Sequence, residues 1–414
     1  MKKAIVVVDP MVSSEYLAKR FDQLGYGVIA LQTLPNLDYL KIKEGIFERV
    51  LQSSGQCEQD IAMLQQLHQQ YDIVHGIAGL GASLPYAETL INKLFPRYAN
   101  CPTSTHLRAE KFWMNEQLKH CNISAIRQAK VLSPETIDTK IAKTIAFFKQ
   151  HQQQIVIKPD SGSAGTVGVI APKTIAEIEA YYRGDKNQLF LNCDHLVQEK
   201  IKGEEFYFDL SSFNGQHHFT AAGRYTKDYD SPTFEYHYLD GVDLHAPEIR
   251  DAKRYVSNCL EALGMRNGLG HVEIMRTESG EYKLIEINPR ISGAYGYVNL
   301  MSCIRYNTDQ VDAYVKMLEN RPQSAQNQSI HQRLFFFKNR RCPYSHIDLS
   351  AIQTLSSYAK STVLKPSCTT DEPAAKTLID TVMLVLLAGA DLKTIEQDTK
   401  ALIQLEASAE CLKD

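Results

Sequence analysis

The stretch Gly270-His-Val-Glu-Ile-Met-Arg-Thr-Glu-Ser-Gly-Glu-Tyr-Lys-Leu-Ile-Glu-Ile-Asn-Pro-Arg290 decides how the whole chain is interpreted. Apolar and polar residues alternate on both sides of the turn-forming residues 277–280, a pattern typical of two antiparallel strands with one buried face. The alternation predicts that one face of this hairpin belongs to the core and carries Val272, Ile274, Ile285 and Ile287. The sequence therefore predicts a half-buried β-hairpin.

The opposite face of this hairpin carries His271, Glu273, Glu286 and Asn288. We expect Glu273 to pair with Leu284, which leaves Glu286 diagonal to it on the same side. Two carboxylates this close resist ionisation, and a hard divalent cation relieves the repulsion by taking oxygen ligands from both. The pattern thus predicts a metal site beside the cation of the Pro289-Arg290 pair, although a solvated acidic face is the alternative.

A second segment, residues 155–169, joins an apolar strand ending in Lys158 to a run of small residues at 161–166. We expect residues 167–170 to begin the return strand. Glycines let backbone N–H groups approach an anion closely, and a nearby ammonium adds opposite charge. The segment is not a P-loop, because its lysine precedes the glycines. It indicates either an anion-binding loop or a plain hairpin with an exposed lysine.

A third segment, residues 196–209, has two strand-like runs joined through Gly203. Its extended backbone can pair with the edge of a purine. Glu199 is placed to accept the exocyclic amine, and Glu205 to hold ribose hydroxyls. The alternative interpretation is an ordinary charged hairpin.

Residues 1–102 alternate between buried strands, at 4–8, 28–31 and 72–75, and helical segments. This order predicts a doubly wound sheet, in which ligands bind beyond the carboxyl ends of the strands. The turn at Gly79-Leu-Gly81 begins like a dinucleotide fingerprint, but Leu84 stands where a small residue is required. We therefore expect neither NAD nor FAD here.

Composition narrows the class of protein further. The 414 residues include 45 Lys and Arg against 48 Asp and Glu, for a net charge of −3, so neither nucleic acid nor an anionic membrane is an expected partner. The longest apolar run, residues 382–390, is too short to span a bilayer, and no secretory signal is expected. Nine cysteines without a C-x-x-C pair predict a cytoplasmic protein with free thiols and no zinc or iron–sulfur site.

The order of the segments resembles the ATP-grasp superfamily over about residues 103–300. It runs from a helix carrying Lys111 through I-V-I-K-P, Q-E-K-I-K-G-E-E-F and H-V-E to L-I-E-I-N-P-R. The early stretches V-D-P-M-V-S-S and G-I-A-G-L-G-A-S-L-P-Y-A-E-T-L are similar to the amino-terminal domain of L-amino-acid ligases. The resemblance implies an α/β protein with an ATP-grasp fold. Its parts would be an amino-terminal doubly wound α/β domain (1–102), an ATP-grasp domain (103–325, lid subdomain about 125–200) and a small carboxy-terminal α+β domain (326–414).

The resemblance also implies roles for individual residues. ATP would be bound by Lys111, Lys158, Ser161, Gly162, Ser163, Ala164, Gly165, Thr166, Glu199, Lys200, Ile201 and Glu205. Two magnesium ions, replaceable by manganese, would be bound by Glu273, Glu286 and Asn288, with Arg290 as the catalytic residue. Pocket residues for the substrate would be His237, Tyr238, His271 and Gly293.

The implied activity is that of an ATP-dependent carbon–nitrogen ligase. It would join amino acids, or similar small carboxylates and amines, through an acylphosphate and release ADP and phosphate. Paired subunits are usual among such proteins, and the sequence leaves the oligomeric state open. The alternatives are a carboxylase-like or purine-pathway ligase, a phosphotransferase on the same fold, and a nucleotide sensor without activity. The bulky run I-S-G-A-Y-G after Arg290 bears on the size of the acyl pocket.

Overall fold

The computed structural model describes residues 1–11, 13–34, 45–160, 167–184, 193–229, 231, 234–323, 326–338, 340, 342–369 and 378–413. The chain forms two units. The first unit contains Met1–Ala125, Phe206–Ala222 and Val242–Gln328, and the second contains Ile126–Glu205, Gly223–Gly241 and Ser329–Asp414. Each unit therefore takes its residues from several separate stretches of the chain.

The strands, in chain order, are β1 (Lys2–Val8), β2 (Tyr26–Gln32), β3 (Arg49–Gln52), β4 (Tyr71–Ala78), β5 (Gln128–Val131), β6 (Ile155–Pro159), β7 (His195–Glu199), β8 (Gly203–Phe213), β9 (Gln216–Asp228), β10 (Glu235–Val242), β11 (Gly268–Thr277), β12 (Tyr282–Asn288), β13 (His331–Lys338), β14 (His346–Ile347), β15 (Tyr358–Val363), β16 (Thr381–Gly389) and β17 (Leu412–Lys413). The α-helices are α1 (Ser14–Gln23), α2 (Cys57–Leu67), α3 (Leu84–Leu94), α4 (His106–Ala109), α5 (Lys111–His120), α6 (Ile137–Gln150), α7 (Ile175–Arg183), α8 (Pro247–Ala262), α9 (Tyr297–Tyr306), α10 (Gln310–Leu318), α11 (Ser350–Gln353) and α12 (Leu392–Ser408).

The amino-terminal part of the first unit is a parallel sheet with the strand order β3-β2-β1-β4. The two central strands are buried over residues 4–8 of β1 and throughout β2, because both faces of the sheet are covered there. On one face, Ile5 belongs to the same buried cluster as Phe21 of α1, and on the other Val6 clusters with Leu90 of α3. The doubly wound order predicted for this region is confirmed.

The remaining strands of the first unit include β11 and β12, which form the predicted hairpin, next to the first-unit residues of β8 and β9. Asn214 and Gly215 connect β8 to β9 with φ angles of 52° and 80°, as a two-residue hairpin turn requires. Apolar side chains of these strands pack against α5 and α8 in one core. Trp113 of α5 is 41% exposed and lies edge-on to His106.

The second unit contains a small antiparallel sheet with the order β5-β7-β6, covered by α6 and α7. The predicted return strand at residues 167–170 is wrong, since only Ile170 forms a bridge, to Ile157. A second group of strands, β10, β13, β16 and β15, pairs antiparallel in that order. The aromatic residues 335–337 of β13 are buried there, and α12 packs against this group.

The prediction of free thiols is wrong for Cys342 and Cys368, which form a disulfide in the second unit. The two residues lie 26 positions apart, and their loops are also joined by backbone hydrogen bonds between Tyr344 and Cys368. Nothing in the sequence pattern marks these two cysteines as a pair. No helix within the described ranges has both the length and the apolar character that crossing a bilayer requires.

Candidate active site

The acidic hairpin places its two glutamates directly opposite each other. His271 pairs with Asn288, Val272 with Ile287, and Glu273 with Glu286. The predicted pairing of Glu273 with Leu284 is wrong, because the register shifts between Glu273 and Ile274, and Ile285 is the extra residue. The hairpin residues 268–288 are called the carboxylate hairpin below.

The same irregularity changes which residues face the core. Leu284 is fully buried together with Val272 and Ile274, whereas Ile285 is half-buried, so the prediction of a core position for Ile285 is wrong. A β-bulge inserts one extra residue into a strand and bends it, so the residues that face the core are odd-numbered on one side of the bulge and even-numbered on the other. Glu286 consequently lies on the face of Glu273.

The carboxylate hairpin already binds one cation of the protein. Lys111, the first residue of α5, places Nζ 2.8 Å from Oε2 of Glu286, with side chains 14% and 20% exposed. Asn288 donates from Nδ2 to Oε1 of Glu286 at 2.9 Å. The structure thus brings together Lys111, Glu286 and Asn288, three of the residues predicted for phosphate and metal binding.

The other glutamate is held from the opposite side by a histidine. His271 Nδ1 lies 2.6 Å from Oδ1 of Asp209, and Nε2 lies 3.2 Å from Oε1 of Glu273. Burial opposes a charged ring, but Asp209 and then Glu273 outweigh burial and raise the pKa of His271 to about 9. The sequence interpretation missed Asp209, because it lies 62 positions from His271 and no local pattern links them.

The loop after Arg290 is held by hydrogen bonds to α1. Ser13 donates from Oγ to the carbonyl oxygens of Ser292 and Gly293, at 2.7 and 3.2 Å. Gly296 has φ of +81°, and a Cβ there would lie 2.4 Å from Cβ of Tyr16, so glycine is required. A Cβ on Gly293 would meet nothing within 4 Å, which leaves room beside this position.

Arg290 follows the carboxylate hairpin directly. Its guanidinium donates from NH1 to the carbonyl oxygen of Ile291 at 2.8 Å, and its backbone N–H donates to Asn288 at 2.8 Å. A guanidinium has five N–H donors, so this arrangement leaves further donors for an anion. The structure therefore places the predicted catalytic residue on the loop that follows a predicted metal ligand.

The turn after β4 reaches the same hairpin. A Cβ on Gly81 would lie 3.8 Å from Oδ1 of Asn288. A Cβ on Gly79 would lie 2.4 Å from the backbone oxygen of Asp9, and the Gly79 N–H donates to Val8 at 2.7 Å. The glycines of the Gly79-Leu-Gly81 turn thus permit close backbone packing between the ends of β1 and β4.

In the second unit, Glu199 is bound on both carboxylate oxygens. Arg127 donates to them from its backbone N–H at 3.0 Å and from Nε at 2.7 Å. The backbone N–H of Lys200 donates to Gln154 at 3.0 Å, and Lys200 Nζ donates to Tyr229 at 2.8 Å. Two of the groups predicted to contact adenine, the Glu199 carboxylate and the backbone N–H of Lys200, are therefore hydrogen-bonded to other protein groups in this structure. No local pattern in the sequence points to Arg127.

Glu205, predicted to bind ribose, forms a buried ion pair. Lys227 Nζ lies 2.5 Å from Oε1 of Glu205, and each side chain is 5% exposed. Lys227 also donates to the Tyr236 hydroxyl at 2.6 Å and lies 3.8 Å from the centre of its ring. The hairpin turn at 214–215 brings β9 beside β8, so the sequence held the signal that Lys227 lies near Glu205.

Other predicted residues of the second unit have different surroundings. Lys158 is buried in β6, and His237 is half-buried in β10. Tyr238 packs at the edge of the carboxy-terminal core, with the Arg333 guanidinium 4.0 Å from its ring. Ile201 is half-buried after β7. The predicted loop residues Ser161, Gly162, Ser163, Ala164, Gly165 and Thr166 lie outside the described residues.

The donor set of the carboxylate hairpin suits a hard cation. Among the described residues no group of three or more His, Cys, Asp and Glu side chains is arranged as a metal site. Glu273 and Glu286 supply two opposed carboxylates, and Asn288 adds an amide oxygen, which is the donor chemistry of magnesium sites completed by phosphate and water. The ammonium of Lys111 contacts the Glu286 carboxylate, so a positive charge already lies at one of the proposed metal ligands.

The part of the chain that contains the carboxylate hairpin matches the model of a known protein family. Residues 151–297 match the family model of the ATP-grasp domain. These residues include the second and third segments quoted above and the whole carboxylate hairpin. The chain therefore contains an ATP-grasp domain and has the ATP-grasp fold, as the sequence predicted.

Among solved structures, the chain is similar to an L-amino acid ligase from Bacillus licheniformis, with a TM-score of 0.75, 14% identity and 98% of each chain covered. It is also similar to N5-carboxyaminoimidazole ribonucleotide synthetase from Thermotoga maritima, with a TM-score of 0.68, 14% identity, and 100% of this chain and 99% of that chain covered. A third similar structure is N5-carboxyaminoimidazole synthetase from Staphylococcus aureus complexed with ADP, with a TM-score of 0.69, 14% identity, and 97% of this chain and 98% of that chain covered. No curated protein sequence matches the chain.

Proposed function

We propose that the protein is an ATP-dependent carboxylate–amine ligase that forms an amide bond between amino acids or amino-acid-like substrates. The observation that carries the proposal is the pairing of Glu273 with Glu286, with Lys111 Nζ 2.8 Å from one of them, inside an ATP-grasp domain. Asp209, Glu273 and Glu286 are three carboxylates beside two protein cations, Lys111 and His271, and this excess of negative charge favours a further cation. A polyphosphate can supply that cation as its metal complex.

Several predicted residues would bind the nucleotide. Lys111 and Lys158 would pair with phosphate oxygens, and Lys111 would then exchange Glu286 for phosphate as its partner. Glu205, fixed by Lys227 through Oε1, would accept ribose hydroxyls. Magnesium, when bound by Glu273, Glu286 and Asn288, would neutralise phosphate charge and attach the triphosphate to the hairpin. Each role can be tested by replacing one residue.

The proposed reaction has two chemical steps. In the first, a carboxylate oxygen of the substrate bonds to the γ-phosphorus while the bond from that phosphorus to the bridging oxygen breaks and ADP leaves. In the second, the amine nitrogen bonds to the acyl carbon, and phosphate leaves with the electron pair of the broken carbon–oxygen bond and accepts the proton that the nitrogen loses. Arg290 would stabilise the negative charge on the acyl oxygen through its remaining N–H donors.

The likeness to an L-amino acid ligase supports amino acids as substrates, and the room beside Gly293 is compatible with a side chain there. The likeness to N5-carboxyaminoimidazole ribonucleotide synthetases, over a similar share of the chain, favours as second candidate a ligase that uses bicarbonate. The two candidates share the first chemical step and differ in the carboxylate that is activated.

The experiment is a panel of amino acids, offered singly and in pairs with ATP and magnesium, in which ADP and products are measured by chromatography and mass spectrometry. We expect ADP release to require both an amino acid and magnesium, and an amide product to appear. ADP release that is equal without any carboxylate would contradict the proposal. Incorporation of labelled bicarbonate would favour the second candidate, and a phosphorylated product that resists hydroxylamine would indicate a phosphotransferase.

A further inference from the structure

A line of hydrogen bonds runs from the interior of the first unit to the carboxylate hairpin. Asp209 of β8 contacts His271 of β11 at 2.6 Å, and the other ring nitrogen of His271 contacts Glu273 at 3.2 Å. Asp209 is fully buried, His271 is 5% exposed, and the Glu273 side chain is 14% exposed. The line therefore connects a buried carboxylate to one at the surface.

Within the described part of the chain, His271 is the only hydrogen-bonding partner of the Glu273 carboxylate. The opposing Glu286 is held by two side chains, Lys111 and Asn288. A glutamate has three rotatable bonds, so the contact with His271 decides where the oxygens of Glu273 point. Loss of this contact would leave one of the two opposed carboxylates without a fixed direction.

The imidazole of His271 is itself fixed in place. Its ring stacks on Tyr207, with centroids 5.8 Å apart and planes at 28°. Gln310 donates to the carbonyl oxygens of Leu210 and Gly270, at 3.3 and 2.8 Å, and so ties β8 to β11 beside the histidine. Only Oδ1 of Asp209 is hydrogen-bonded, and among the described residues its buried Oδ2 has no partner. Among the described residues, the carboxylate of Asp209 therefore hydrogen-bonds to His271 alone.

We propose that Asp209 is a positioning residue for the metal site of the carboxylate hairpin, acting through His271 on the direction of the Glu273 carboxylate. The inference rests on the proposed function only in taking Glu273 as a metal ligand. Side chains that orient metal ligands typically change metal affinity by about 10- to 100-fold when they are replaced. A purely structural role for the buried Asp209 would leave metal affinity unchanged in a folded variant.

The experiment measures manganese binding directly, by the loss of the free-ion electron paramagnetic resonance signal in the presence of a non-hydrolysable ATP analogue. We expect Asp209→Asn to weaken manganese binding about 10-fold or more. The matched control is Ser211→Ala, two residues along β8, which removes a buried hydrogen bond of 2.6 Å to the Gln310 carbonyl without touching the line. This control should bind manganese like the wild type.

A second variant keeps the test decisive if Asp209→Asn does not fold. His271→Gln should weaken manganese binding to a similar extent, and in folded proteins the two effects should not add, because both act through one contact. Wild-type affinity in His271→Gln, or in a folded Asp209→Asn, overturns the inference while the ligase proposal stands. A wild-type protein that binds no manganese with the nucleotide analogue overturns the proposed metal site itself.

Discussion

Glu273 and Glu286 of the carboxylate hairpin differ from Glu199 and Glu205 of the second unit in how the protein compensates their charges. Glu199 pairs with Arg127, and Glu205, which is 5% exposed, pairs with Lys227. In the carboxylate hairpin Glu273 and Glu286 oppose each other and are 14% and 20% exposed. Together with the buried Asp209 they make three carboxylates beside two cations, Lys111 and His271. The first arrangement is complete within the protein, whereas the second favours an added cation.

The comparison shows what kind of observation points to function. A buried acid with a matched cation owes its place to the fold, because removal of either partner leaves an uncompensated charge. An excess of acids at a half-buried position costs stability unless a ligand supplies charge. The variants described next, from the largest expected effect to the smallest, test this difference.

The largest effect is expected in the carboxylate hairpin. Glu286→Gln should lower the rate of ADP formation by roughly 1000-fold, because it removes a proposed metal ligand at the phosphates. The same change should alter the free energy of unfolding by no more than about 1 kcal/mol, since the Lys111 pair is partly exposed. Both quantities are measured on one preparation, by steady-state kinetics and by urea unfolding.

The control for this variant is Glu278→Gln, which makes the same charge change at the exposed turn of the hairpin. It should leave the rate unchanged. Activity near the wild-type level in Glu286→Gln would contradict the proposed role of Glu286 as a metal ligand, because its loss would then affect the rate no more than the loss of a surface glutamate.

The next effect concerns stability in the second unit. Lys227→Met should lower the free energy of unfolding by about 3 kcal/mol, because it leaves Glu205 buried without its cation. The matched control is Arg224→Met in the same strand, whose pair with Glu204 is exposed on both sides, at 46% and 43%. The control should cost less than about 1 kcal/mol. Equal losses in urea unfolding would show that the buried Glu205–Lys227 pair stabilises the fold no more than the exposed pair does.

A smaller effect depends on pH. His195, at the start of β7, is buried between the rings of Tyr181 and Tyr182, and burial, reinforced by Lys140, lowers its pKa to about 4. A histidine that is harder to protonate in the folded state stabilises the fold above its ordinary pKa of about 6.5 and loses that contribution as the pH falls toward 4. At pH 5 the loss should be about 2 kcal/mol.

His195→Phe should remove this part of the acid sensitivity, measured as the change in unfolding free energy between pH 7.5 and pH 5. His120→Phe, at an exposed histidine that ends α5, is the control and should keep the wild-type dependence. Unchanged acid sensitivity in His195→Phe would show that other groups cause it. Reduced acid sensitivity in His195→Phe would show that burial between the two tyrosines disfavours the charged form of His195.

The smallest effect on stability is expected at Gly293, in the loop that follows the carboxylate hairpin. Gly293→Ala should change the free energy of unfolding by less than about 0.5 kcal/mol, because the new methyl group meets nothing within 4 Å. It should nevertheless reduce the rate with bulky carboxylates more than with small ones. Gly296→Ala, with φ of +81° and Tyr16 at 2.4 Å, should cost more than about 1 kcal/mol. Equal stability losses would contradict this account of the loop.

Sequence patterns were sufficient to predict the structural features that depend on residues close together in the chain. Alternation predicted the carboxylate hairpin. An Asn-Gly pair such as Asn214-Gly215 is likewise typical of the two-residue turn that connects β8 and β9. The bulge at Ile285 was not predictable in this way, because an isoleucine fits an inward position equally well in a regular strand. Neighbours along the chain therefore determined which elements form, and packing determined their register.

Contacts between residues far apart in the chain could not be predicted from local sequence patterns. Asp209 and His271, for example, lie 62 positions apart. Such pairs depend on the order of strands in a sheet, which the sequence does not state. The disulfide between Cys342 and Cys368 failed to be predicted for the same reason.

The position of Trp113 makes the proposed site observable by optical spectroscopy. It is the single tryptophan of the chain and lies two residues after Lys111, in the helix whose first residue pairs with Glu286. Its indole is 41% exposed, so its emission is sensitive to solvent and to quenchers. Intrinsic fluorescence excited at the indole band therefore reports on one helix, and titration with nucleotide needs no attached dye.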